Sequence, residues 1–336
     1  MFADAIRAPA YLAAIARGVP AGAVVVEIGT GVGYFAVAAC AAGARRVYAI
    51  EVNPAIELGP ALAADNNCAD RITFIRADSR RVTLPEPGDV LLTDLRGVLP
   101  LFSEHIPTIV DARSRLLRPG AALIPRRDTL WAAPAAAPES WRIDHLEGGE
   151  APHGINRRAV TARVRSNFCQ CYFRAESLAA DGVRWAVLDY ATIESPDVSG
   201  RAGWTFARDG VADGLALWFE SDLGFGAGLS NSPVAERLLY GQAFFPFERS
   251  LRVRAGDHLA AELRAVLVNG EYVWGWDSTL TPAASPSAPV AFRQSNLAAH
   301  VESLENLRAL GAGRGEPRPA QDGERSIPSP HTPFTA

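Results

Sequence analysis

The 336-residue sequence has little cysteine, no long apolar run and no excess of positive charge. Its four cysteines are too few for a disulfide scaffold in a chain of this size. No uninterrupted apolar run reaches about 18 residues, so a membrane-spanning helix is not expected. The N-terminus lacks the basic region, apolar core and cleavage site of a signal peptide, which makes the cytoplasm the predicted compartment. A formal net charge of −4 removes any general attraction to nucleic acid.

Two of the cysteines, Cys169 and Cys171, are separated by one residue, as on one face of a strand. A zinc site needs further ligands at a characteristic spacing, and no second pair with that spacing accompanies them. We therefore interpret them as buried thiols, with a metal site as the alternative. No bound metal is predicted.

A glycine-rich turn between a predicted strand and a predicted helix is the most informative part of the chain. The apolar residues 24–28 have the length of a buried parallel strand, and residues 34–43 have the alanine content of a helix. Gly29, Gly31 and Gly33 lie between them and can adopt backbone angles closed to other residues. Because glycine has no Cβ, a ligand can lie against this main chain. The pattern predicts a cofactor pocket.

Two acidic residues beside the turn narrow the choice of cofactor. Glu51 ends the second predicted strand, where a carboxylate can accept hydrogen bonds from both hydroxyls of a ribose. Glu27 directly precedes the loop, and Glu-x-Gly-x-Gly-x-Gly differs from the Gly-x-Gly-x-x-Gly that seats a pyrophosphate. Negative charge disfavours a phosphate and suits S-adenosylmethionine (SAM), which carries an ammonium and a sulfonium. The alternatives are a nicotinamide-binding domain and a purely structural turn.

Strand and helix patterns alternate from residue 24 to about residue 131. Such alternation predicts a parallel sheet wrapped by helices, a Rossmann-like α/β fold. Ligands bind at the carboxyl ends of these strands, where Glu51, Asp78 and Asp94 fall together with the glycine turn. The predicted strands are 24–28, 46–51, 72–77, 89–94 and 121–131, and the predicted helices are 34–43, 54–66 and 103–117.

The pattern changes after Pro125 to short alternating segments rich in Phe, Trp and Val. Short strands separated by Gly, Pro, Asp and Asn turns predict an all-β barrel or sandwich. An amphipathic helix is then predicted over 297–310, followed by a Gly- and Pro-rich tail that has little to bury. The predicted domains are a SAM-binding domain at 1–125, a β-barrel substrate domain at 126–283, a helical segment at 284–312 and a disordered tail at 313–336.

This arrangement resembles the protein arginine methyltransferase family, and four motifs within residues 1–282 carry the resemblance. The opening Met-Phe-Ala-Asp-Ala-Ile-Arg is similar to a family segment whose arginine, here Arg7, holds the cofactor carboxylate as a bidentate pair. The glycine turn with Glu51 is the second motif. The third implies that Asp78 approaches the adenine. The fourth, residues 91–130, is similar to the family's double-glutamate loop, the helix after it and the start of the barrel.

The same alignment shows departures at the positions that the family uses for its substrate. The family holds a guanidinium between two glutamates of one loop; here those positions carry Asp94 and Ser103, with Glu104 beside the latter. In the barrel, Leu239 and Tyr240 stand where the family has histidine and tryptophan. A guanidinium is cationic at ordinary pH and needs paired carboxylates to orient one nitrogen. Arginine is therefore not the expected substrate.

An alkylamine needs fewer carboxylates in the site than a guanidinium does. Partial desolvation lowers the pKa of an ammonium, and the neutral amine is a nucleophile that one carboxylate can orient. Asp94 is the first candidate for that role and Glu104 the second; the alternatives are a strand-end cap and an ordinary glutamate of a first helical turn. His105 is a candidate proton acceptor or a surface residue. Tyr240 is a candidate hydrogen-bonding group or part of the barrel wall.

The expected activity is SAM-dependent N-methylation of an amine in a peptide or natural-product substrate. The chain also resembles stand-alone methyltransferases of ribosomal-peptide pathways, such as those that dimethylate the C-terminal amine of daptides. The alternatives are a protein arginine methyltransferase in which Glu104 supplies the missing carboxylate, and a SAM-binding scaffold without transfer activity. The family resemblance implies a homodimer formed through an arm, for which 139–160 is the candidate. Neither nucleic acid nor a membrane is an expected partner.

Overall fold

The computed structural model describes residues 4–139, 141, 155–156, 158–284 and 288–299. A parallel α/β sheet is followed in sequence by two antiparallel sheets that form a β-barrel domain. This architecture confirms the predicted fold class. Among the described helices, none combines the length and apolar character needed to cross a bilayer.

The N-terminal domain is a five-stranded parallel sheet with helices on both sides. Its strands are β1 (Val24–Ile28), β2 (Arg46–Glu51), β3 (Ile72–Arg76), β4 (Gly88–Thr93) and β5 (Leu117–Ile124). Its helices are α1 (Arg7–Gly18), α2 (Tyr34–Ala41), α3 (Gly59–Asp65) and α4 (His105–Arg115). The strand order β3-β2-β1-β4-β5 reverses beside β1. A crevice therefore opens at the carboxyl ends of β1 and β4, where ligands bind in this fold class.

Two predicted elements of this domain differ from the structure. The predicted strand 121–131 was wrong, because β5 ends at Ile124 and a new strand, β6 (Arg127–Ala135), belongs to the barrel. Pro125 has no N–H to continue a ladder, so the chain leaves one sheet there and enters the other. The predicted helix 54–66 is a 3-10 turn, Pro54–Leu58, followed by α3.

The C-terminal domain consists of antiparallel strands, as predicted, and the strands enclose an aromatic core. The elements after β6 are α5 (Arg158–Arg165), β7 (Cys169–Cys171), β8 (Val183–Asp189), β9 (Val198–Thr205), β10 (Gly210–Gly224), β11 (Ala227–Ser230), β12 (Gln242–Val253), β13 (His258–Val268), β14 (Glu271–Thr281) and β15 (Val290–Ser295). One sheet has the order β7-β12-β10-β6-β8, with β11 on β10, and the other has the order β15-β14-β13-β9. The ring centroid of Phe245 lies 5.0 Å from that of Trp274 and 5.2 Å from that of Trp276.

The barrel extends further along the chain than predicted. Strand β15 pairs with β14 within the segment 284–312, which was predicted to be helical. The alternation that buries Phe292 and Gln294 and exposes Arg293 is typical of a strand with one inward face. A 3-10 turn, Asn296–Ala299, follows it. The rest of the predicted helix 297–310, the tail 313–336 and most of the candidate arm 139–160 lie outside the described residues.

Helix α1 links the two domains and aims a basic side chain at the end of β4. One oxygen of Asp4 accepts the backbone N–H groups of Ile6 at 3.0 Å and Arg7 at 2.7 Å, which satisfies two donors at the start of the helix. The other oxygen accepts the N–H of Leu239, in the barrel, at 3.2 Å. Because α1 is held at both places, Arg7 and the buried Tyr11 lie beside the last residues of β4.

Candidate active site

Two adjoining cavities lie at the carboxyl ends of β1, β2 and β4. The Asp94 cavity, of about 370 Å³, is lined by Asp94, Arg7 and Glu27, and the Asp78 cavity, of about 290 Å³, is lined by Asp78 and Glu104. Together they have the volume of a small-molecule site. The residues that line both cavities are Gly29, Glu51, Leu95 and Phe102.

The glycine turn forms the floor of these cavities. Gly29, Gly31 and Gly33 have φ angles of 78°, 57° and 85°, a region that strains residues with a Cβ. Above Gly31, no atom lies within 4 Å of where a Cβ would stand, so the space over this backbone is open to a ligand. Its N–H donates to Glu51 at 3.1 Å, and the N–H of Asn53 donates to the other oxygen of Glu51 at 2.8 Å. The Glu51 carboxylate is thereby fixed where the cavities meet.

Glu27 has a different charge state from the one inferred from the sequence. It is buried and accepts a hydrogen bond from the Thr30 hydroxyl at 2.7 Å. Burial raises its pKa to about 8, against the opposing effect of that hydrogen bond. The group is therefore mostly protonated at neutral pH when no cationic ligand is bound. A cationic ligand would favour ionisation, so we expect binding of the ammonium end of SAM to release a proton here.

Replacing Glu27 by Gln should change the pH dependence of both stability and SAM binding. Because the pKa of Glu27 is higher in the folded state than in the unfolded state, protonation of this group favours folding. Its contribution to the free energy of unfolding is complete below pH 4.5 and is lost as pH rises through about 8. We therefore expect the Tm of Glu27→Gln to rise relative to the parent between pH 5 and pH 8. SAM affinity should increase over pH 6 to 8 in the parent and stay flat in the variant, as calorimetry would measure.

The matched control for this prediction is Glu57→Gln, which removes an exposed carboxylate paired with Arg76. Its pH profiles should follow those of the parent, since the pair is screened by solvent. Parallel Tm and affinity curves for Glu27→Gln and the parent would contradict the assignment of a raised pKa to Glu27.

Asp94 is the centre of the charge network in the Asp94 cavity. Its Oδ2 accepts from Arg7 Nε at 2.5 Å and from the Tyr240 hydroxyl at 2.7 Å, and its Oδ1 accepts from Arg96 Nε at 3.0 Å. Burial opposes ionisation, but Arg96 and Arg7 outweigh it and hold the pKa of Asp94 below its ordinary value. Asp94 is therefore ionised at neutral pH. Such a group is a poor proton acceptor, yet it can orient an N–H and stabilise a cation.

Arg7 presents an unused hydrogen-bonding fork to the Asp94 cavity. Its Nε donates to Asp94 and, at 3.1 Å, to the Tyr240 hydroxyl. Among the described residues, its two terminal nitrogens have no hydrogen-bond partner, and the guanidinium lies 5.1 Å from the centre of the Phe35 ring. The geometry can receive a ligand carboxylate while Arg7 stays on Asp94.

Tyr240 is brought to Asp94 by contacts of its own backbone. Its carbonyl accepts a hydrogen bond from Gln170 Nε2 at 2.7 Å, which ties the loop before β12 to strand β7. Its side chain is buried, and burial followed by the Asp94 charge raises its pKa well above the ordinary tyrosine value. The hydroxyl therefore stays protonated and donates to Asp94.

Glu104 does not join Asp94. Its carboxylate pairs with Arg80 at 3.1 Å, and Arg80 also binds Asp78 at 3.0 Å, so both acids line the Asp78 cavity. Ser103, at the second clamp position of the family, has a φ of 41° and precedes the helix. This turn and the pairing with Arg80 place Glu104 apart from the expected clamp.

His105 is a buried residue and not a surface side chain. Only 2% of it is exposed, and Nδ1 lies 2.8 Å from the carbonyl oxygen of Pro100. Burial lowers its pKa, so the ring is neutral and Nδ1–H donates to that carbonyl. It lines the Asp78 cavity and packs against Tyr190. Its role as a proton acceptor stays a prediction.

A buried network beside Asp94 was not predicted from the sequence. Arg96 donates to Asp128 at 3.1 Å, to Ser221 at 2.7 Å and to the Tyr11 hydroxyl, and the Tyr190 hydroxyl donates to Asp128 at 2.6 Å. It joins the end of β4 to three parts of the barrel. The sequence held a weak signal for this network, because Asp128 directly precedes the mainly apolar part of β6 and buried charges need partners.

The two closely spaced thiols lie in strand β7 of the barrel. Cys169 and Cys171 Sγ atoms are 3.5 Å apart without a disulfide bond; Cys171 is buried and Cys169 half-buried. Within the described residues, no cluster of three or more His, Cys, Asp or Glu side chains has the geometry to hold a metal ion.

Comparisons with known proteins identify the family. The chain is 30% identical over 270 residues to the arginine N(omega)-methyltransferase of Streptomyces achromogenes subsp. streptozoticus, covering 78% of this chain and 74% of that protein. The chain belongs to the arginine methyltransferase family. Protein arginine N-methyltransferase PRMT10 of Oryza sativa subsp. japonica is 30% identical over 190 residues, which cover 52% of this chain and 50% of that protein. The TRM5/TYW2 methyltransferase domain family matches residues 7–111.

Solved structures of arginine methyltransferases share the fold of this family member. The Trypanosoma brucei PRMT1 enzyme-prozyme complex with AdoHcy matches with a TM-score of 0.78 and 16% identity, covering 86% of this chain and 94% of that one. PRMT10 of Arabidopsis thaliana, in an open conformation, matches with a TM-score of 0.74 and 19% identity, covering 88% and 95%. The predicted family resemblance is confirmed.

As a member of the arginine methyltransferase family, the protein is a SAM-dependent methyltransferase, and the predicted cofactor is confirmed. Its cavities fit that cofactor. Open space lies over Gly31, a fixed carboxylate stands at Glu51, and the Arg7 fork faces the cavity. When bound, SAM supplies an electrophilic methyl group on a cationic sulfur.

Proposed function

We propose that this methyltransferase transfers the methyl group of SAM to a neutral amine nitrogen of a peptide or natural-product substrate. The observation that carries the proposal is the state of Asp94, a buried and ionised carboxylate that two guanidinium groups already bind. Among the described residues of this loop, no second carboxylate stands beside it, because position 103 is a serine and Glu104 pairs with Arg80. A single N–H can be oriented by such a group. A guanidinium needs a paired arrangement that this loop lacks.

The residues divide the work between donor and acceptor. We assign Glu51 to the ribose, Asp78 to the adenine side, Arg7 to the SAM carboxylate and Glu27 to the ammonium end. Asp94 then accepts an N–H of the substrate amine and, with the Tyr240 hydroxyl beside it, sets the direction of the nitrogen lone pair. Positioning of this kind supplies much of the rate in a displacement reaction.

Transfer to a neutral amine does not need an enzymic base, because the proton leaves only after the methyl group has been transferred. The amine lone pair forms the N–C bond as the S–C bond breaks and its electron pair stays on sulfur. The product ammonium is stabilised by the ionised Asp94, and its proton is lost to solvent. Only the neutral amine carries the lone pair that reacts, so an amine that binds in its protonated form must first lose a proton to solvent. The rate should therefore rise with pH until the bound amine is fully neutral.

Arginine methylation is the second candidate. This activity is favoured by a relative named as an arginine N(omega)-methyltransferase, to which the chain is 30% identical over a region that covers 74% of that relative's length. That name refers to arginine without specifying a protein. In this alternative, Glu104 must leave Arg80 and reach the acceptor, or a single carboxylate must suffice.

The deciding experiment is a parallel assay with labelled SAM. An amine-terminated peptide, an arginine-rich peptide and arginine itself are incubated with the enzyme, and the products are analysed by intact mass and fragmentation. We expect label on the amine. Label on the guanidine nitrogens alone would overturn the proposal, and binding of SAM without transfer to any acceptor would favour a non-catalytic scaffold.

Glu104→Gln separates the two candidate activities further. Because the Glu104 carboxylate pairs with Arg80 and is 37% exposed, its loss should change kcat/KM for the amine by less than about threefold. If Glu104 were the second clamp residue, neutralising it should reduce transfer by about a hundredfold. Steady-state kinetics at fixed, saturating SAM distinguish these results.

We also propose that the protein is cytoplasmic and forms a homodimer. A daptide-type peptide is one candidate for its substrate. The support for assembly is the family membership and the related PRMT1, whose structure is described as a heterotetrameric complex. Light scattering coupled to gel filtration would measure the mass in solution, and a monomer at micromolar concentration would contradict the dimer.

A further inference from the structure

A pair of thiols in the barrel lies beside the loop that carries Tyr240. Cys169 and Cys171 stand on the same face of β7, and their Sγ atoms are 3.5 Å apart. Cys171 is buried, whereas Cys169 is half-buried and lines a cavity of about 760 Å³. Among the described residues, none lines both this cavity and the Asp94 or Asp78 cavity. A small solute can therefore reach one sulfur of the pair without passing the cofactor site.

The residue between the two thiols holds the loop that positions Tyr240. Gln170 Nε2 donates to the carbonyl of Tyr240 at 2.7 Å and to that of Leu239 at 3.3 Å. The hydroxyl of Tyr172, directly after the pair, donates to the same Leu239 carbonyl at 3.1 Å. Two side chains thus fix two consecutive peptide groups, and the Tyr240 hydroxyl donates to Asp94 at 2.7 Å. The position of this hydroxyl depends on the segment that contains the thiols.

Close packing at Gly241 strengthens this connection. Gly241 has a φ of 58°, and a Cβ there would lie 2.8 Å from the carbonyl oxygen of Cys171 and 3.2 Å from Cγ of Gln170. Strand β7 therefore packs directly on the main chain next to Tyr240. Because closely packed atoms transmit displacements, a movement of β7 also moves this loop.

Strand geometry permits a disulfide bond between the two cysteines only if β7 moves. Cα atoms two residues apart in a strand are separated by about 6.6 Å, close to the upper limit of about 6.8 Å for a disulfide bond. Joining the sulfurs therefore requires the strand to contract or twist. Strand β7 is three residues long and stands at the edge of its sheet, with β12 as its neighbour. Little of the sheet has to be rearranged when this strand moves.

We propose that Cys169 and Cys171 form a reversible redox site, whose oxidation to a disulfide bond slows methyl transfer by displacing Tyr240 from Asp94. The redox role goes beyond the proposed function and does not depend on the acceptor, because Tyr240 donates to Asp94 whichever nucleophile is methylated. A disulfide bond at the limit of its geometry is readily reduced again. Bonds of this kind act as transient sensors in a reducing compartment.

A peroxide is the oxidant for this site. The thiolate of Cys169 attacks one oxygen of hydrogen peroxide, the O–O bond breaks, and the products are a sulfenic acid on Cys169 and water. The sulfur of Cys171 then attacks that sulfur, which forms the S–S bond and releases a second water. Two thiols and one hydrogen peroxide give one disulfide bond and two waters, which carry the thiol protons and the two electrons lost by sulfur. A dithiol reductant restores both thiols by exchange.

The test treats the full chain with hydrogen peroxide and then with a dithiol reductant. A tryptic peptide of residues 166–174 contains both cysteines, and its mass should fall by two hydrogen atoms after oxidation. Transfer from labelled SAM is measured with the three acceptors of the parallel assay. We expect the rate with the accepted substrate to fall about tenfold or more, because a small misplacement at an active site is costly, and to return after reduction.

Hydrogen exchange gives a readout that needs no acceptor. In the reduced protein, the N–H of Leu239 donates to Asp4 at 3.2 Å and the N–H of Gly241 donates to the Leu238 carbonyl at 3.3 Å. Oxidation should raise the exchange rate of these amides, because the loop loses its contacts with β7 and opens more often. Exchange within α2, in the other domain, should stay the same.

Cysteine variants separate this pair from the other thiols. Cys169→Ser cannot form the bond, so peroxide should change neither its transfer rate nor its exchange rates; Cys169→Ala replaces it if the serine variant does not fold. The matched control, Cys40→Ala with Cys68→Ala, removes the two thiols buried in the N-terminal domain. Burial raises the pKa of Cys40 to about 11, which keeps this thiol protonated and unreactive. The control should be as sensitive to peroxide as the parent.

Three results would overturn the redox role. They are a peptide 166–174 of unchanged mass, a disulfide bond that forms without any change in transfer or exchange, and an equal loss of activity in peroxide-treated Cys169→Ser. The proposed function is judged separately, by which acceptor the untreated enzyme labels. If the enzyme methylates none of the three acceptors, the exchange rates of the loop decide the redox role.

Discussion

Asp94→Asn should lower kcat/KM for the preferred acceptor by about a hundredfold or more while SAM still binds. The neutral amide cannot stabilise the charge of the ammonium product. Its NH2 group also donates hydrogen bonds at a position where the carboxylate oxygen accepts them. The change also leaves Arg7 and Arg96 with one negative charge fewer, so the Tm should fall. Kinetics at saturating SAM, calorimetric SAM titration and a melting curve measure the three effects.

Asp111→Asn is the matched control. It makes the same chemical change to a carboxylate on the surface of α4, where the partner is Arg115 at 2.7 Å. Its activity should stay within about twofold of the parent, because a solvent-screened pair contributes little. Transfer by Asp94→Asn within a fewfold of the parent, with SAM binding intact, would remove Asp94 from its proposed role. Asp94→Glu keeps the charge and should retain measurable transfer.

Arg7→Leu should weaken SAM binding by about ten- to a hundredfold. The variant removes the fork that faces the cavity, and with it a charge-assisted pair of hydrogen bonds to the SAM carboxylate. It also removes the cation on Asp94 Oδ2, so the pKa of Asp94 should move towards its ordinary range. We expect a raised Kd for SAM and, at saturating SAM, a smaller loss in kcat.

A control on the same helix separates the fork from the charge. Arg17→Leu removes an exposed arginine that donates to the carbonyl of Phe225 at 3.2 Å, and its SAM affinity should be unchanged. Arg7→Lys keeps the charge on α1 but not the fork, and should bind SAM nearly as weakly as Arg7→Leu. Unchanged SAM affinity in both Arg7 variants would show that the cofactor carboxylate is held elsewhere.

The fold of the N-terminal domain was predictable because its signals are local. The run 24–28, the three glycines and Glu51 lie within one strand-turn-helix-strand unit, and each element follows from the residues inside it. The boundary at Pro125 was predicted as a domain junction but not as a break between strands. Strand β15 was missed because six alternating residues are too short to outweigh an amphipathic pattern that follows them.

The candidate site was predictable only in part. Glu51, Asp78 and Asp94 meet at the ends of neighbouring strands, as the alternation of strands and helices predicts. The surroundings of Glu104 and His105 were not predictable, because they depend on the left-handed φ of Ser103 and on the ion pair between Glu104 and Arg80. Neither feature has a signature in the residue order.

The sequence by itself determined the methyl donor, and the tertiary structure decided the environment that meets the acceptor. A cofactor loop is built from consecutive residues, so its chemistry can be inferred from spacing alone. The charge of Glu27 and the occupancy of Asp94 depend on burial and on distant partners such as Arg7, Arg96 and Tyr240, which only the packing of the barrel against the sheet brings together. Electrostatic energies depend on those distances and on the exclusion of water, and neither is set by position in the chain.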